Sequence, residues 1–218
     1  MSLKKFLLDL LFPKKCYGCG ADNIWLCQTC LNKLKPYQGE LPRALQNTHD
    51  LIIAGEYKDK LLSDLIIAFK FGFNRELAIP LFIFLKLTLD KKIIIDTLSG
   101  HLWQNILIIP APLHRQRQKW RGFNQSELLA REISNYYNWP ISLALVKIKK
   151  TTNQAELKEA ARLINLSNVF KWTGDNLNGQ TVLLLDDIIT SGATLNEAEL
   201  ILKQAGASRV IKVALAKG

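Results

Sequence analysis

The sequence predicts an α/β protein in which helices flank a parallel β-sheet, preceded by a small cysteine-rich module. Two observations carry this prediction. From residue 49 onward, apolar runs of strand length alternate with segments of helical period, a pattern typical of parallel sheets. All four cysteines lie near the N-terminus in two C-x-x-C pairs, within a segment too short to build a core of its own.

The alternation defines each strand and helix of the predicted domain. The predicted strands are Leu51–Tyr57, Asn105–Ile109, Ile141–Val146, Thr181–Leu185 and Arg209–Ala214. The predicted helices are Lys60–Phe71, Glu76–Leu89, Asn124–Tyr137 and Thr194–Gln204. Pro80 lies near the start of the second helix, where its missing N–H costs least, and Pro110 and Pro112 close the second strand.

Composition bounds the class of protein and its partners. Of the 218 residues 48% are hydrophobic and 22% are charged, and the mean hydropathy is +0.04, which excludes wholesale disorder and a multi-span membrane protein. Lys and Arg number 29 against 19 Asp and Glu, a net charge of +10. Such an excess favours polyanionic partners, namely phosphate groups, nucleic acid or acidic lipid.

The excess charge is concentrated in two short stretches that contain no acid, residues 111–125 and residues 147–150. Their basic residues are Arg115, Arg117, Lys119 and Arg121 in the first stretch and Lys147, Lys149 and Lys150 in the second. A solvated surface is the alternative interpretation of such clusters.

The first fifteen residues are apolar and basic, but they match neither a signal sequence nor a membrane span. Asp9 interrupts the apolar run, Pro13 ends it, and it is much shorter than the ~20 residues of a span. We expect an amphipathic helix that packs on the body of the protein, with a peripheral membrane or partner contact as the alternative.

The cysteines predict a zinc knuckle with the ligands Cys16, Cys19, Cys27 and Cys30. Two disulfides are the alternative, which a reducing compartment disfavours. Four sulfur ligands leave no position for water, so the zinc is expected to be structural and to supply most of the folding free energy of the module. We predict an N-terminal helix, zinc knuckle and linker over residues 1–48 and the α/β domain over residues 49–218.

The chemistry is concentrated after the strand Thr181–Leu185. This apolar run delivers Asp186 and Asp187 to its carboxyl end, where open α/β sheets bind ligands. The following loop is rich in small and hydroxyl residues, namely Thr190, Ser191, Gly192, Ala193 and Thr194. Its N–H groups, its hydroxyls and the helix that follows predict a phosphate site, and a sugar diol would explain the paired acids. The alternative is that Asp187 and Thr190 only cap that helix.

Residues 182–194, VLLLDDIITSGAT, resemble the 5-phosphoribosyl-1-pyrophosphate (PRPP) motif of the type I phosphoribosyltransferases. The resemblance implies that Asp186 and Asp187 are the catalytic acids and hold the ribose hydroxyls, and that the loop from Thr190 to Thr194 holds the 5-phosphate. It also implies Mg²⁺ bound together with PRPP.

A wider resemblance, to the competence protein F (ComF) family, covers nearly the whole chain. Besides the cysteine knuckle, it rests on Pro110–His114, Arg117, Arg121–Gln125, Leu128, Ala130, Thr152, Gln154, Arg162, Asn165 and Phe170. The resemblance implies a phosphoribosyltransferase-like fold and a cytoplasmic role in natural transformation and DNA uptake. The partners it implies are single-stranded DNA, a competence helicase and recombination proteins, with the inner face of the membrane as an alternative location.

Two functions remain open at this point. We expect a DNA-uptake accessory protein that binds single-stranded DNA, with an active Mg²⁺-dependent phosphoribosyltransferase of nucleotide metabolism as the alternative. Arg115, Arg117, Lys119 and Arg121 would contact pyrophosphate in an enzyme and the DNA backbone in a binding protein. Trp120 and Phe123 would stack on bases or pack against the helix that begins near residue 124.

Overall fold

The computed structural model describes residues 13–41, 50–72, 74–100, 103–149 and 169–218, so most of the predicted N-terminal helix lies outside the described residues. The helices are α1 (Gln28–Leu31), α2 (Lys60–Phe71), α3 (Ala78–Leu98), α4 (Arg115–Arg121), α5 (Gln125–Tyr137) and α6 (Ala193–Gln204). The strands are β1 (Leu51–Glu56), β2 (Ile106–Pro110), β3 (Leu145–Lys147), β4 (Phe170–Trp172), β5 (Thr181–Ile189) and β6 (Arg209–Lys217).

The main sheet is parallel throughout and has the order β1-β6-β5-β2. Its two central strands, β5 and β6, are buried along most of their length, because helices cover both faces of the sheet. A helix-flanked parallel sheet confirms the predicted fold class. The described residues contain no helix that is both long and apolar enough to cross a membrane.

Side chains alternate between the two faces of β5, and each face has its own core. Leu183 and Leu185 join a core that includes apolar residues of α2, α3 and α5. Val182 and Leu184 join the opposite core, which includes residues of α6. The alternation follows from the two-residue period of a strand, and it holds the carboxyl end of β5 in place from both sides.

The predicted ends of β5 and β6 are wrong, because both strands continue beyond them. β5 runs to Ile189 and β6 to Lys217, and the two remain paired as far as Ile189 and Lys217. β2 stops opposite Leu185, at the Pro110-Ala-Pro112 segment whose second proline has no N–H to donate. The sheet is therefore narrower beyond Leu185, and one edge of β5 is left open there.

The segment after β2 also differs from the prediction, because its basic residues lie on a helix that is not among the predicted ones. His114 caps α4 by accepting a hydrogen bond from the Gln116 N–H, and Gly122 ends the helix with a φ of 71°. The strand predicted over Ile141–Val146 divides into a single bridge from Ile141 to Ile108 of β2 and the short strand β3, which pairs antiparallel with β4.

Candidate functional site

The paired acids lie where the sheet narrows. Asp186 is the first residue of β5 beyond the last pair with β2, and on its other side it is still paired with Ala214 of β6. The Asp187 side chain is largely buried. The position at the carboxyl edge of a parallel sheet is the one that the sequence predicts.

Asp186 accepts hydrogen bonds from two neighbours. Its Oδ1 lies 2.8 Å from the Asp187 backbone nitrogen and 3.3 Å from the Ser126 Oγ, in the first turn of α5. Burial and the charge of Asp187 raise the pKa of Asp186 to about 7, although the Asp187 N–H, Lys70 and Ser126 act in the opposite direction. Asp186 is therefore able to gain or lose a proton near neutral pH.

Asp187 forms an ion pair with Lys70, a residue that sequence reasoning missed. The Lys70 Nζ lies 2.9 Å from the Asp187 Oδ1, and the two side chains are only 15% and 12% exposed. Lys70 comes from the last turn of α2, more than a hundred positions earlier in the chain. The one signal in the sequence is a lysine between Phe69 and Phe71 in an otherwise apolar run. This pair excludes the alternative in which Asp187 serves only to cap the next helix.

The loop after β5 leads directly into α6. Gly192 is the N-cap of α6 with a φ of 78°, a left-handed conformation that glycine adopts without strain. The Ser191 Oγ accepts a hydrogen bond from the Ala193 N–H, in the first turn of the helix, at 3.5 Å. Asp186 and the five loop residues from Thr190 to Thr194 line one concavity of about 20 Å³. This volume holds about one water-sized group, which is less than a phosphate occupies. A phosphate would therefore bind at the opening of the concavity, against the loop, and not inside it.

The four basic residues predicted to contact pyrophosphate or DNA all lie on α4. Arg121, at its end, contacts both α5 and α2. Its Nη1 donates to the Gln125 Oε1 at 3.2 Å, and its guanidinium lies 5.1 Å from the centre of the Phe71 ring. Arg121 therefore contacts Phe71, the residue that follows Lys70 on α2. Arg115, Arg117 and Lys119 occupy the same helix, which follows the carboxyl end of β2.

The two aromatic residues of this segment have different environments. Phe123 is buried, with its ring 5.8 Å from that of Phe69 and with the Arg75 guanidinium over its face, so it belongs to the core and cannot stack on a base. Trp120 is 60% exposed and lies 6.0 Å from the Phe71 ring. Only Trp120 of the two retains an accessible ring face.

The four cysteines converge, so they can hold a metal ion. The Sγ atoms of Cys16, Cys19, Cys27 and Cys30 lie within 4.8 Å of one another, close to the ~3.8 Å separation of sulfurs around a tetrahedral zinc. None of them forms a disulfide. Burial raises the pKa of Cys16, but backbone hydrogen bonds at Cys27, Cys19 and Gly18 outweigh it and lower the pKa to about 6, whereas burial raises the pKa of Cys30 to about 12. Without a metal, one thiolate at Cys16 therefore accepts hydrogen bonds while Cys30 keeps its proton.

The knuckle is packed against the α/β domain. Cys30, Leu26 and Leu31 are buried in the same core as α2 and α3. Glu76, just before α3, accepts a hydrogen bond from the Trp25 Nε1 at 2.8 Å and pairs with Lys14 at 2.5 Å. A shared core therefore contributes to the stability of this module, and a dominant contribution from metal binding stays a prediction.

Several residues behind the wider resemblance lie outside the described residues. These are Thr152, Gln154, Arg162 and Asn165, together with Lys150 of the second basic stretch. Phe170 is described and is buried in β4.

Known proteins resemble both this site and the chain as a whole. A family model described as phosphoribosyl transferase domain matches residues 121–218, which include Asp186, Asp187 and the loop after β5. Competence protein F of Haemophilus influenzae is 32% identical over 202 residues, which cover 89% of this chain and 81% of the relative. The chain belongs to the competence protein F family.

Other members of the ComF family have different names. DNA utilization protein YhgH of Escherichia coli K12 is 30% identical over 190 residues, which cover 84% of this chain and 74% of the relative. Competence protein ComFC of Bacillus subtilis is 30% identical over 103 residues, 47% of this chain and 40% of the relative. The names of these relatives concern competence or DNA utilization.

Proposed function

We propose that this protein acts in competence and DNA utilization, that it binds single-stranded DNA, and that it carries a binding site for PRPP or a related phosphoribosyl ligand. One observation carries the proposal most directly. In a chain of the ComF family, the acid pair Asp186–Asp187 and the loop of residues 190–194 line the same edge of the sheet that the basic helix α4 flanks.

The phosphoribosyl ligand would bind both to the acid pair at the end of β5 and to the loop that follows it. The 5-phosphate accepts hydrogen bonds from the N–H groups and hydroxyls of the loop from Thr190 to Thr194, at the N-terminus of a twelve-residue helix. The ribose hydroxyls donate to the carboxylates of Asp186 and Asp187. Mg²⁺ bound together with PRPP would supply positive charge that offsets the charge of the pyrophosphate.

Single-stranded DNA would bind through α4. Arg115, Arg117, Lys119 and Arg121 lie on a seven-residue helix within a stretch that contains no acid. Cations arranged in this way attract a phosphate backbone, and the exposed ring of Trp120 offers a surface on which a base stacks. Membership of the ComF family supports the further proposal that the protein acts in the cytoplasm, beside a competence helicase and recombination proteins.

The cysteine knuckle would hold one structural zinc ion. Its four sulfur ligands fill a tetrahedral site, and its buried leucines join the core of the α/β domain. Protein purified under reducing conditions should contain about one zinc ion per chain, measured by atomic emission. A ratio near zero would remove this part of the proposal.

An active Mg²⁺-dependent phosphoribosyltransferase is the second candidate, and the pKa of Asp186 favours it. A carboxyl with a pKa of about 7 is suited to accept a proton at neutral pH. An amine or hydroxyl nucleophile would form a bond to the anomeric carbon, pyrophosphate would leave with the bonding electrons, and the nucleophile's proton would pass to the Asp186 carboxylate.

Two measurements test the proposed function and the second candidate. Calorimetric titration with PRPP and Mg²⁺ should show binding that is lost in Asp186→Ala and retained in Asp175→Ala, an exposed acid away from the loop. Incubation of PRPP with a panel of amines and bases, with pyrophosphate release followed, decides between a binding protein and an enzyme. Turnover that Asp186→Ala abolishes would establish the enzyme.

The DNA arm has its own test. A fluorescent single-stranded oligonucleotide should bind with a strong salt dependence, and simultaneous replacement of Arg115, Arg117 and Arg121 by Gln should weaken it by about tenfold or more. Unchanged affinity in the triple variant would remove α4 from the DNA-binding surface.

A further inference from the structure

A cleft of about 560 Å³ opens between α4 and the antiparallel pair of strands β3 and β4. Its walls come from the segment after β2, the first turns of α4 and α5, and the strand β3. The lining residues are Pro110, Pro112, Leu113, His114, Gln118, Asn124, Glu127, Leu143, Leu145, Val146, Lys147, Ile148 and Thr173. A volume of this size is typical of sites for small ligands or for a few nucleotides.

The cleft joins the two basic stretches that lie apart in the sequence. Residues of the first stretch form one wall through α4, and Lys147 of the second stretch lines the opposite wall. Glu127 is the one acid among the lining residues that the structure describes, and its Oε1 is paired with the Arg131 Nη2 at 2.7 Å. The surroundings of the cleft therefore favour an anion.

The lining of the cleft is largely apolar, and Lys147 is its basic residue. Leu143 and Ile148 line it with 51% and 52% of their surfaces exposed, and prolines and Val146 add to the apolar lining. Exposed apolar side chains next to Lys147 and to the basic helix α4 match a ligand that has flat apolar parts joined by phosphates. Single-stranded nucleic acid has this chemistry, whereas a duplex keeps its bases within its own stack.

The cleft also contacts the acid site through one turn of helix. Asn124 lines the cleft, caps α5 and donates from its Nδ2 to the Ala111 carbonyl at 3.0 Å. Two residues later, Ser126 donates to Asp186. A ligand in the cleft therefore lies against the same turn that holds the first acid.

We propose that this cleft is the binding site for single-stranded nucleic acid, with bases on the apolar floor of Leu143, Val146 and Ile148 and with backbone phosphates along α4 and Lys147. The proposal rests on the proposed DNA binding and adds its location. It predicts that DNA contacts the side of α4 that lines the cleft and not the side that contacts Phe71. His114 and Gln118 line the cleft, whereas Trp120, two positions after Gln118 and therefore on the opposite side of α4, contacts Phe71.

The test is oligonucleotide binding by variants of the whole chain in which a negative charge replaces an apolar side chain of the cleft floor. Leu143→Glu and Ile148→Glu alter exposed side chains, so folding should be retained, and each should weaken binding of a fluorescent single strand by about tenfold. The matched control is Leu98→Glu, which should retain wild-type affinity. Leu98 is 84% exposed and ends α3, before the amino end of β2, whereas the cleft lies beyond the carboxyl end of that strand.

Two further arms separate the cleft from other binding surfaces. If Trp120→Ala or Phe71→Ala weakens oligonucleotide binding and the cleft variants do not, DNA binds the other side of α4 and the proposal is overturned. If excess pyrophosphate displaces the oligonucleotide completely while Leu143→Ser and Ile148→Ser leave affinity unchanged, the cleft holds phosphate alone and the floor has no role, which also overturns it.

The experiment distinguishes a wrong location for the DNA site from a wrong function. Wild-type protein that binds no oligonucleotide removes the DNA arm of the function, and with it the proposal. Wild-type binding that survives in both cleft variants leaves the function standing and removes the cleft. PRPP binding measured on the same samples should be unchanged in both variants, and its loss would show that the substitutions disturbed the acid site.

Discussion

The acid side and the basic side of the site are built in different ways. Asp186 and Asp187 lie on a central strand and are held by partners from other elements, Ser126 on α5 and Lys70 on α2. The residues of α4 lie on a short, largely exposed helix in a stretch without acids. The acids therefore influence the stability of the fold as well as binding, whereas α4 is expected to influence binding far more than stability.

The largest expected effect on stability is at Asp187. Asp187→Ala leaves the Lys70 ammonium largely buried without its partner, so the free energy of unfolding should fall by about 2–4 kcal/mol. Urea unfolding at pH 7 measures the change. The double variant with Lys70→Met should recover most of the loss, and a double variant as unstable as the single one would contradict the role assigned to this ion pair.

The next effect depends on pH. The folded protein holds the Asp186 proton up to about pH 7, whereas an unfolded aspartate loses it near pH 4, so the wild-type free energy of unfolding falls as pH rises between these values. Asp186→Asn removes this penalty and keeps an oxygen acceptor. The variant should be more stable than wild type by about 1–3 kcal/mol at pH 8 and nearly equal at pH 4.

Urea unfolding at both pH values measures this difference. Asp175→Asn, an exposed acid, should show no such dependence. An equal gain at pH 4 and pH 8 for Asp186→Asn would mean that the titration of Asp186 is not its cause.

The end of α4 gives a smaller effect on stability. Gly122 has a φ of 71°, which disfavours any side chain with a Cβ atom, so Gly122→Ala should cost about 1 kcal/mol. Asparagine adopts this conformation more readily than alanine, and Gly122→Asn should recover part of the loss. Equal stabilities of the Ala and Asn variants in thermal unfolding would show that backbone conformation is not the cause.

The smallest effect on stability is on the basic side. Lys119→Gln should change the free energy of unfolding by no more than about 0.5 kcal/mol, because the side chain is exposed. It should nevertheless reduce the slope of oligonucleotide affinity against salt concentration by about one. Lys33→Gln, the same charge change on the knuckle, is the control, and an equal loss of slope in both variants would contradict a local role for α4.

Features that rest on contiguous residues were predictable from the sequence. The apolar run of β5, the acids at its end and the loop before α6 follow one another in the chain, and the alternation of strands and helices placed them at the carboxyl edge of a parallel sheet. The C-x-x-C spacing likewise brought four sulfurs together. The lengths of β5 and β6 were not predictable, because each strand continues only where the other provides hydrogen-bond partners.

What the sequence by itself determined is the parallel α/β architecture, the cysteine cluster and the acid pair beside the loop, since each depends on local period and spacing. The tertiary structure alone decided that Lys70 reaches Asp187, that Phe123 is buried while Trp120 is exposed, and that α4 and β3 face each other across one cleft. These contacts depend on the order of the strands and on which face of each helix packs inward. Both are settled by burial summed over the whole core, which no short segment of the chain contains.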